Sequence, residues 1–229
     1  NMKKIDSIVL SGKESLPLIE GGKGIAISSG ESSGAWAKAG GVGTFSGVNA
    51  DSYDKDGNLI PQLYKEKTRK GRHRELVDFS VSGAVEQAKI ARDIAGKNAP
   101  IHINILWEMA AAEEILTRTL EEAGDIIDGV TCGAGMPYKL SEIAAKFGIY
   151  YYPIVSSARA FNALWKRSYR KSSNFLGGVV YEDPWLAGGH NGLSNSEDPL
   201  KPQPPYPRVR DLRLLMNQFN LQEIPIIMA

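Results

Sequence analysis

The sequence predicts an α/β fold of the (β/α)8 TIM-barrel type, and three features carry that expectation. From Leu16 to the last residue, short apolar segments alternate with longer segments of helical period, the pattern of parallel strands joined by right-handed crossovers. The first strand-to-helix turn holds Gly21-Gly22-Lys23-Gly24, which is not the glycine fingerprint that a doubly wound sheet carries there for phosphate. Small and polar residues instead recur at the C-terminal end of one strand after another, where a barrel gathers its functional groups.

Each element has its own warrant. Leu16–Gly22 and Gly41–Val48 read as strands around a short helix, Ser32–Ala39, that Ser32 or Ser33 would cap. Residues 49–72 are polar and turn-rich, too charged for core, and read as an excursion over the barrel mouth or toward a subunit partner. Arg74–Ala95 spaces Leu76, Phe79, Val81, Ala84, Ala88 and Ile94 as a helix, followed by the strand Ile101–Leu106. Glu108–Ala123 is rich in Ala, Glu and Leu, strong helix formers, and Ile126–Cys132 is the next strand. The pattern continues with helix Leu140–Phe147, strand Tyr150–Val155, helix Ala158–Tyr169 and strand Gly177–Tyr181. A Pro-rich loop, Pro199–Pro207, leads to helix Arg208–Phe219 and strand Ile224–Met228. The sequence ends on what reads as the seventh strand. The eighth strand, with the loops that form the usual phosphate site, is therefore expected in a longer protein of which this is a fragment or the ordered part.

The chain has 229 residues and a formal net charge of +1, with 27 Lys and Arg against 26 Asp and Glu. That length suits a single domain over residues 1–229. The balance gives no support for a nucleic-acid or membrane partner. The lone cysteine, Cys132, excludes an intramolecular disulfide and a Cys-rich metal site, and fits a reducing, cytoplasmic setting. Neither an apolar leader core nor a run near the ~20 apolar residues of a membrane span is present in the sequence.

The stretch most suggestive of chemistry is Leu176–Gly192, where the apolar run around Val179 and Val180 gives way to a glycine-rich loop carrying His190. Gly188 and Gly189 clear side chains from the backbone just before an imidazole that titrates near neutral pH. Alone, such a tripeptide also reads as a turn with a solvated histidine. His73 and His102 read as surface and strand-end residues.

Six segments, in order and at their separations, resemble the nitronate monooxygenase family, formerly 2-nitropropane dioxygenases. They are Pro17–Gly24, Ala39–Thr44, Ile103-Asn104, Gly129–Gly135, Pro153–Ser157 and Ala187–Gly192. That family is itself similar to FMN-dependent enoyl-thioester reductases. The resemblance implies FMN held noncovalently at the C-terminal mouth of a TIM barrel, with no metal. It also implies an oxidoreductase that oxidises nitronates or nitroalkanes with dioxygen.

On matching positions, His190 is the implied catalytic base, taking the α-proton of a neutral nitroalkane. Gly21, Gly22 and Lys23 fall beside the isoalloxazine, Asn104 near its pyrimidine edge, and Ser156 or Ser157 near the ribityl chain. Gly188 and Gly189 pack near the flavin, and Cys132, Gly133 and Glu182 complete the implied cofactor-binding set. Each has a plainer reading: the glycines as turn formers, Asn104 as a strand-end cap, Ser156 and Ser157 as helix caps, Cys132 as a small packed residue. The chain departs from the family where Glu20-Gly21-Gly22-Lys23 replaces a Gln-Ala-Pro-Met type of strand end, placing paired charges beside the implied ring. Enoyl-thioester reduction, flavin binding without catalysis, and a homodimer remain open as alternatives and partner.

Overall fold

The computed structural model describes residues 5–133, 135–188 and 192–229. By internal contact the chain forms two compact units, one up to Val130 and one from Thr131 onward.

The first unit opens with a hairpin outside the expected strands, β1 (Ile8–Leu10) and β2 (Lys13–Ser15), paired antiparallel. Its turn is Ser11-Gly12, with φ of 50° and 73°, the left-handed conformation that two-residue hairpin turns require. The expected strand Leu16–Gly22 narrows to a single parallel bridge, Ile19 to Val42, flanked by Glu20 N–H donating to the Val42 carbonyl at 2.9 Å. Helix α1 (Gly30–Lys38) starts earlier than expected, because Ser29 caps it and exchanges hydrogen bonds with Ser32 in a capping box.

β3 (Gly43–Ser46) pairs in parallel with β4 (Ile101–Leu106), from Gly43 opposite Ile101 to Ser46 opposite Asn104. Between them, α2 runs from Arg69 to Ala95. Its start at the Thr68 cap takes in the last residues of the polar excursion, and Val77, Val81, Ala84, Val85, Ala88 and Ala91 form its buried face. At Gly83 a Cβ would lie 1.7 Å from the Ala50 carbonyl oxygen, so this position lets the segment after β3 press against the helix backbone. The fully buried Gln87 holds the same region together, accepting from Gly30 N–H at 2.6 Å and donating to the Asp51 carbonyl at 2.7 Å. α3 (Ala112–Ala123) follows β4, and the beginning of β5 (Gly129–Gly133) lies next to β4.

In the second unit the end of β5 is followed by β6 (Tyr150–Val155), β7 (Val179–Tyr181) and β8 (Ile226–Met228), neighbours in that order. β6 with β7, and β7 with β8, pair in parallel, Val155 opposite Tyr181 and Tyr181 opposite Met228. The crossovers are α4 (Leu140–Phe147), α5 (Ala158–Arg167, then two short 3-10 turns) and α6 (Pro205–Gln218). α6 begins inside the expected Pro-rich loop because Pro suits the first helical turn, where its missing N–H breaks no bond. The core holds Tyr151 and Tyr169 edge to face at 5.1 Å, their hydroxyls donating to the Ser172 and Pro137 carbonyls. Burial pushes both phenols above their ordinary range.

Parallel strands in chain order with intervening helices make the protein an α/β chain of the TIM-barrel type.

Candidate functional site

The sequence-predicted residues divide between the two units. In the first unit the strand end leaves Val42 at Glu20, and the charge expected beside a ligand turns inward. The Glu20 carboxylate is buried, accepting from Thr44 N–H at 3.2 Å and the Ser32 hydroxyl at 2.9 Å. It binds β3 and α1 to the strand end, so the expectation of paired charges at the rim is corrected to Lys23 alone.

Gly21–Lys23 is shaped by its own turn. Ser28 Oγ accepts from Lys23 N–H at 2.9 Å and donates to the Gly21 carbonyl at 3.1 Å, while Lys23 Nζ donates to the same carbonyl at 3.1 Å. Gly22 and Asn104 are brought together, for a Cβ on Gly22 would fall 2.3 Å from Asn104 Cβ. At Gly21 a Cβ would meet nothing within 4 Å. Bare backbone beside a carboxamide, with open space over it, suits a flat polar guest.

In the second unit Cys132 is fully buried, and burial pushes its thiol far above its ordinary range, which leaves it no nucleophilic character near neutral pH. Gly133 is a packing position, where a Cβ would lie 2.6 Å from Ile154 Cβ. Ser157 caps α5, its Oγ accepting from Ala160 N–H at 3.2 Å. Ser156 and Ser157 line an open cavity of about 760 Å³ with Arg159, Ser194, Ser196 and Glu197.

The loop after β7 is organised by Glu182, from the implied cofactor-binding set, and by Asp183 and Arg208, which that set did not include. Glu182 N–H donates to the Val155 carbonyl at 2.9 Å, and the buried Asp183 accepts from Trp185 and Leu186 N–H, each at 2.9 Å. Arg208, from α6, donates to Glu197 and, at 2.6 Å, to the Ser156 carbonyl, and its guanidinium lies 5.2 Å from the centre of the Trp185 ring. Burial pulls the pKa of Arg208 down, but the bond to and charge of Glu197 together with the contribution of Tyr181 outweigh it, and the net shift is upward. One of several Arg at the start of a helix gives no sequence signal for these contacts, made to residues 11 and 52 positions away. Gly188 is exposed, with nothing within 4 Å of a Cβ. Gly189 and His190 lie outside the described residues.

His102 lies at the beginning of β4, the strand-end place expected of it. It is fully buried, its Nε2 2.7 Å from Ser11 Oγ, because the N-terminal hairpin covers that end of β4. Burial drives its pKa from 6.5 down to about 4, opposed by the nearby Asp128 charge. His73 is exposed, as expected. Among the described residues no group of His, Cys, Asp or Glu is placed to hold a metal ion, and no helix is long and apolar enough to cross a membrane.

The class set by these observations is a TIM-barrel-type α/β chain with glycine and amide groups at its C-terminal strand ends. The comparisons agree on the fold. The chain is similar to FabK from Thermotoga maritima, at 18% identity and a TM-score of 0.53 over 93% of this chain and 50% of that one. A mutant of the same protein matches at 19% identity and a TM-score of 0.58, over 93% and 53% of the two chains. Nitroalkane oxidase from Streptomyces ansochromogenes matches at 13% identity and a TM-score of 0.56, over 93% and 58%. The chain thus spans just over half the length of these solved structures. No protein-family model and no curated protein matches it.

Proposed function

We propose that this chain belongs to a flavin-dependent oxidoreductase that acts on nitronates or nitroalkanes. The observation that carries the reading is the Gly21-Gly22 backbone, open over Gly21 and packed by Gly22 onto Asn104. A cradle of that kind fits the edge of an isoalloxazine. The likeness in fold to nitroalkane oxidase supports the same reading, as does the sequence resemblance.

FMN, when bound, supplies the electron acceptor for the reaction. Gly21 and Gly22 would present backbone to it, Asn104 its carboxamide, and Lys23 a cation close to the rim. A protonated Lys23 favours a negatively charged guest over a neutral one. Ser156 and Ser157 would offer hydroxyls to a polyol chain, although the Ser157 oxygen is engaged as a cap. His190 would accept the α-proton of a neutral nitroalkane, as an imidazole can near neutral pH. Dioxygen is the second substrate, and FMN rather than FAD follows from the resemblance.

The test is reconstitution with FMN followed by kinetics. A yellow protein bleached anaerobically by nitronate supports the proposal. His190→Ala should then slow turnover of neutral nitroalkane by roughly 10²- to 10⁴-fold and affect preformed nitronate far less. Equal losses on both would remove His190 as the carbon base. Bleaching by NAD(P)H alone would move the activity to enoyl-thioester reduction, and a yellow protein inert to both donors would leave binding without catalysis.

A further inference from the structure

We infer that residues 58–74 form a docking tip for an anionic lipid surface. The charge of the chain is segregated: this stretch holds six Lys and Arg side chains (Lys65, Lys67, Arg69, Lys70, Arg72, Arg74) against one acid, Glu66, while the whole chain carries only +1. All six are exposed. The neighbouring acids are engaged, Glu75 accepting from the Lys65 and Glu66 N–H groups and Asp78 pairing with Arg118 at 2.8 Å. Among the described residues, none of the six cations is in an ion pair.

Two further observations point to a function for the cluster. Four of these cations occupy the first turns of α2, which has no acidic residue in its first turn. Positive charge at the positive end of a helix is destabilising, so helix stability does not account for it. Immediately before the cations the chain exposes Leu59, Ile60, Leu63 and Tyr64, at 55%, 42%, 69% and 51%. The side chains of the first α2 turn do not enter the core either, burial beginning at Val77. Apolar and aromatic groups leading into a polybasic stretch supply the two signals that reversible attachment to an anionic bilayer needs, shallow insertion and charge. A second copy of the chain is disfavoured as the occupant, since like patches would meet with like charge. Nucleic acid would match the cations but leave the four apolar side chains uncovered.

The probe is vesicle co-sedimentation of the full chain at about 0.1 M salt, with phosphatidylcholine alone or with about 30% phosphatidylglycerol added. Binding is expected on the anionic vesicles only, falling as salt rises. The combined Lys65→Gln, Lys67→Gln, Arg69→Gln, Lys70→Gln variant should bind on the order of 1000-fold more weakly. Leu63→Ser with Tyr64→Ser should weaken binding while retaining its salt dependence. Unchanged circular dichroism and melting in both variants would tie the loss to the surface. Equal binding to both vesicle types, no binding to either, or a quadruple variant that binds as the parent does would overturn the inference. Salt-dependent binding to duplex DNA without vesicle binding would overturn it in favour of nucleic acid.

Discussion

Two polar, proline-containing loops of opposite charge balance are built on opposite electrostatic terms. The loop after β7 is held by inward ties: Arg208 and Glu197 are each 14% exposed at the side chain, and Arg208 also grips the Ser156 carbonyl. The tip at residues 58–74 sends its cations outward and depends for its shape on backbone and cap bonds such as Gly71 N–H to Thr68. Charge in the first region fixes geometry; in the second, Glu75 accepts from the Lys65 and Glu66 N–H groups and Arg72 donates to the Glu66 carbonyl at 3.0 Å, while the other five cations face outward and are available to a partner. The His102 and Asp128 cluster belongs to the first kind, with Asp128 accepting from Arg92 at 2.7 Å, Lys13 at 2.9 Å and the Ile101 N–H at 2.9 Å.

Arg208→Met should test the contrast most severely. Removing Arg208 takes one donor from Glu197, which keeps the Ser194 N–H, and one from the Ser156 carbonyl, at a cost of about 3 kcal/mol in urea unfolding for this partly buried pair; a loss below about 1 kcal/mol would show the tie to be incidental. Acid should reveal an effect of comparable size. His102 is neutral in the fold, with its pKa depressed from 6.5 to about 4, so its contribution is full above pH 6.5 and is lost as the pH falls toward 4. Roughly 3 kcal/mol should disappear across that window, and His102→Gln should flatten the slope in pH-dependent denaturation. Gly22→Ala drives a methyl into Asn104 and should cost about 1–3 kcal/mol. Gly21→Ala meets open space, so its melting temperature should hold while FMN uptake weakens. Lys67→Gln or Lys70→Gln should change stability by less than about 0.5 kcal/mol, and a larger loss would place the tip with the inward-tied regions.

Much of the fold was legible in the sequence because apolar period is a local property. Helix Leu140–Phe147 and strand Tyr150–Val155 appear at their expected limits. The departures have local causes too: Ser29 and Thr68 cap their helices upstream of the first apolar repeat, so the starts of α1 and α2 were set by hydroxyls rather than by periodicity. The N-terminal hairpin did leave a signal, the Ser11-Gly12 turn between two short segments. The site was less legible. Gly22 against Asn104 joins residues far apart in the chain, and Ser11 meets His102 across 91 positions. No spacing rule encodes such contacts, and the inward turn of Glu20 depends on partners that only the folded chain supplies.

Gln87 has a consequence for how this chain can vary. Its buried side chain must accept a hydrogen bond from Gly30 N–H and donate one to the Asp51 carbonyl. A glutamate there would set oxygen against oxygen, and a lysine would set hydrogen against hydrogen, so only a neutral amide of that reach satisfies both sides. Position 87 should therefore act as a marker: distant kin that retain this corner should retain its glutamine, and those lacking it should have rebuilt the start of α1.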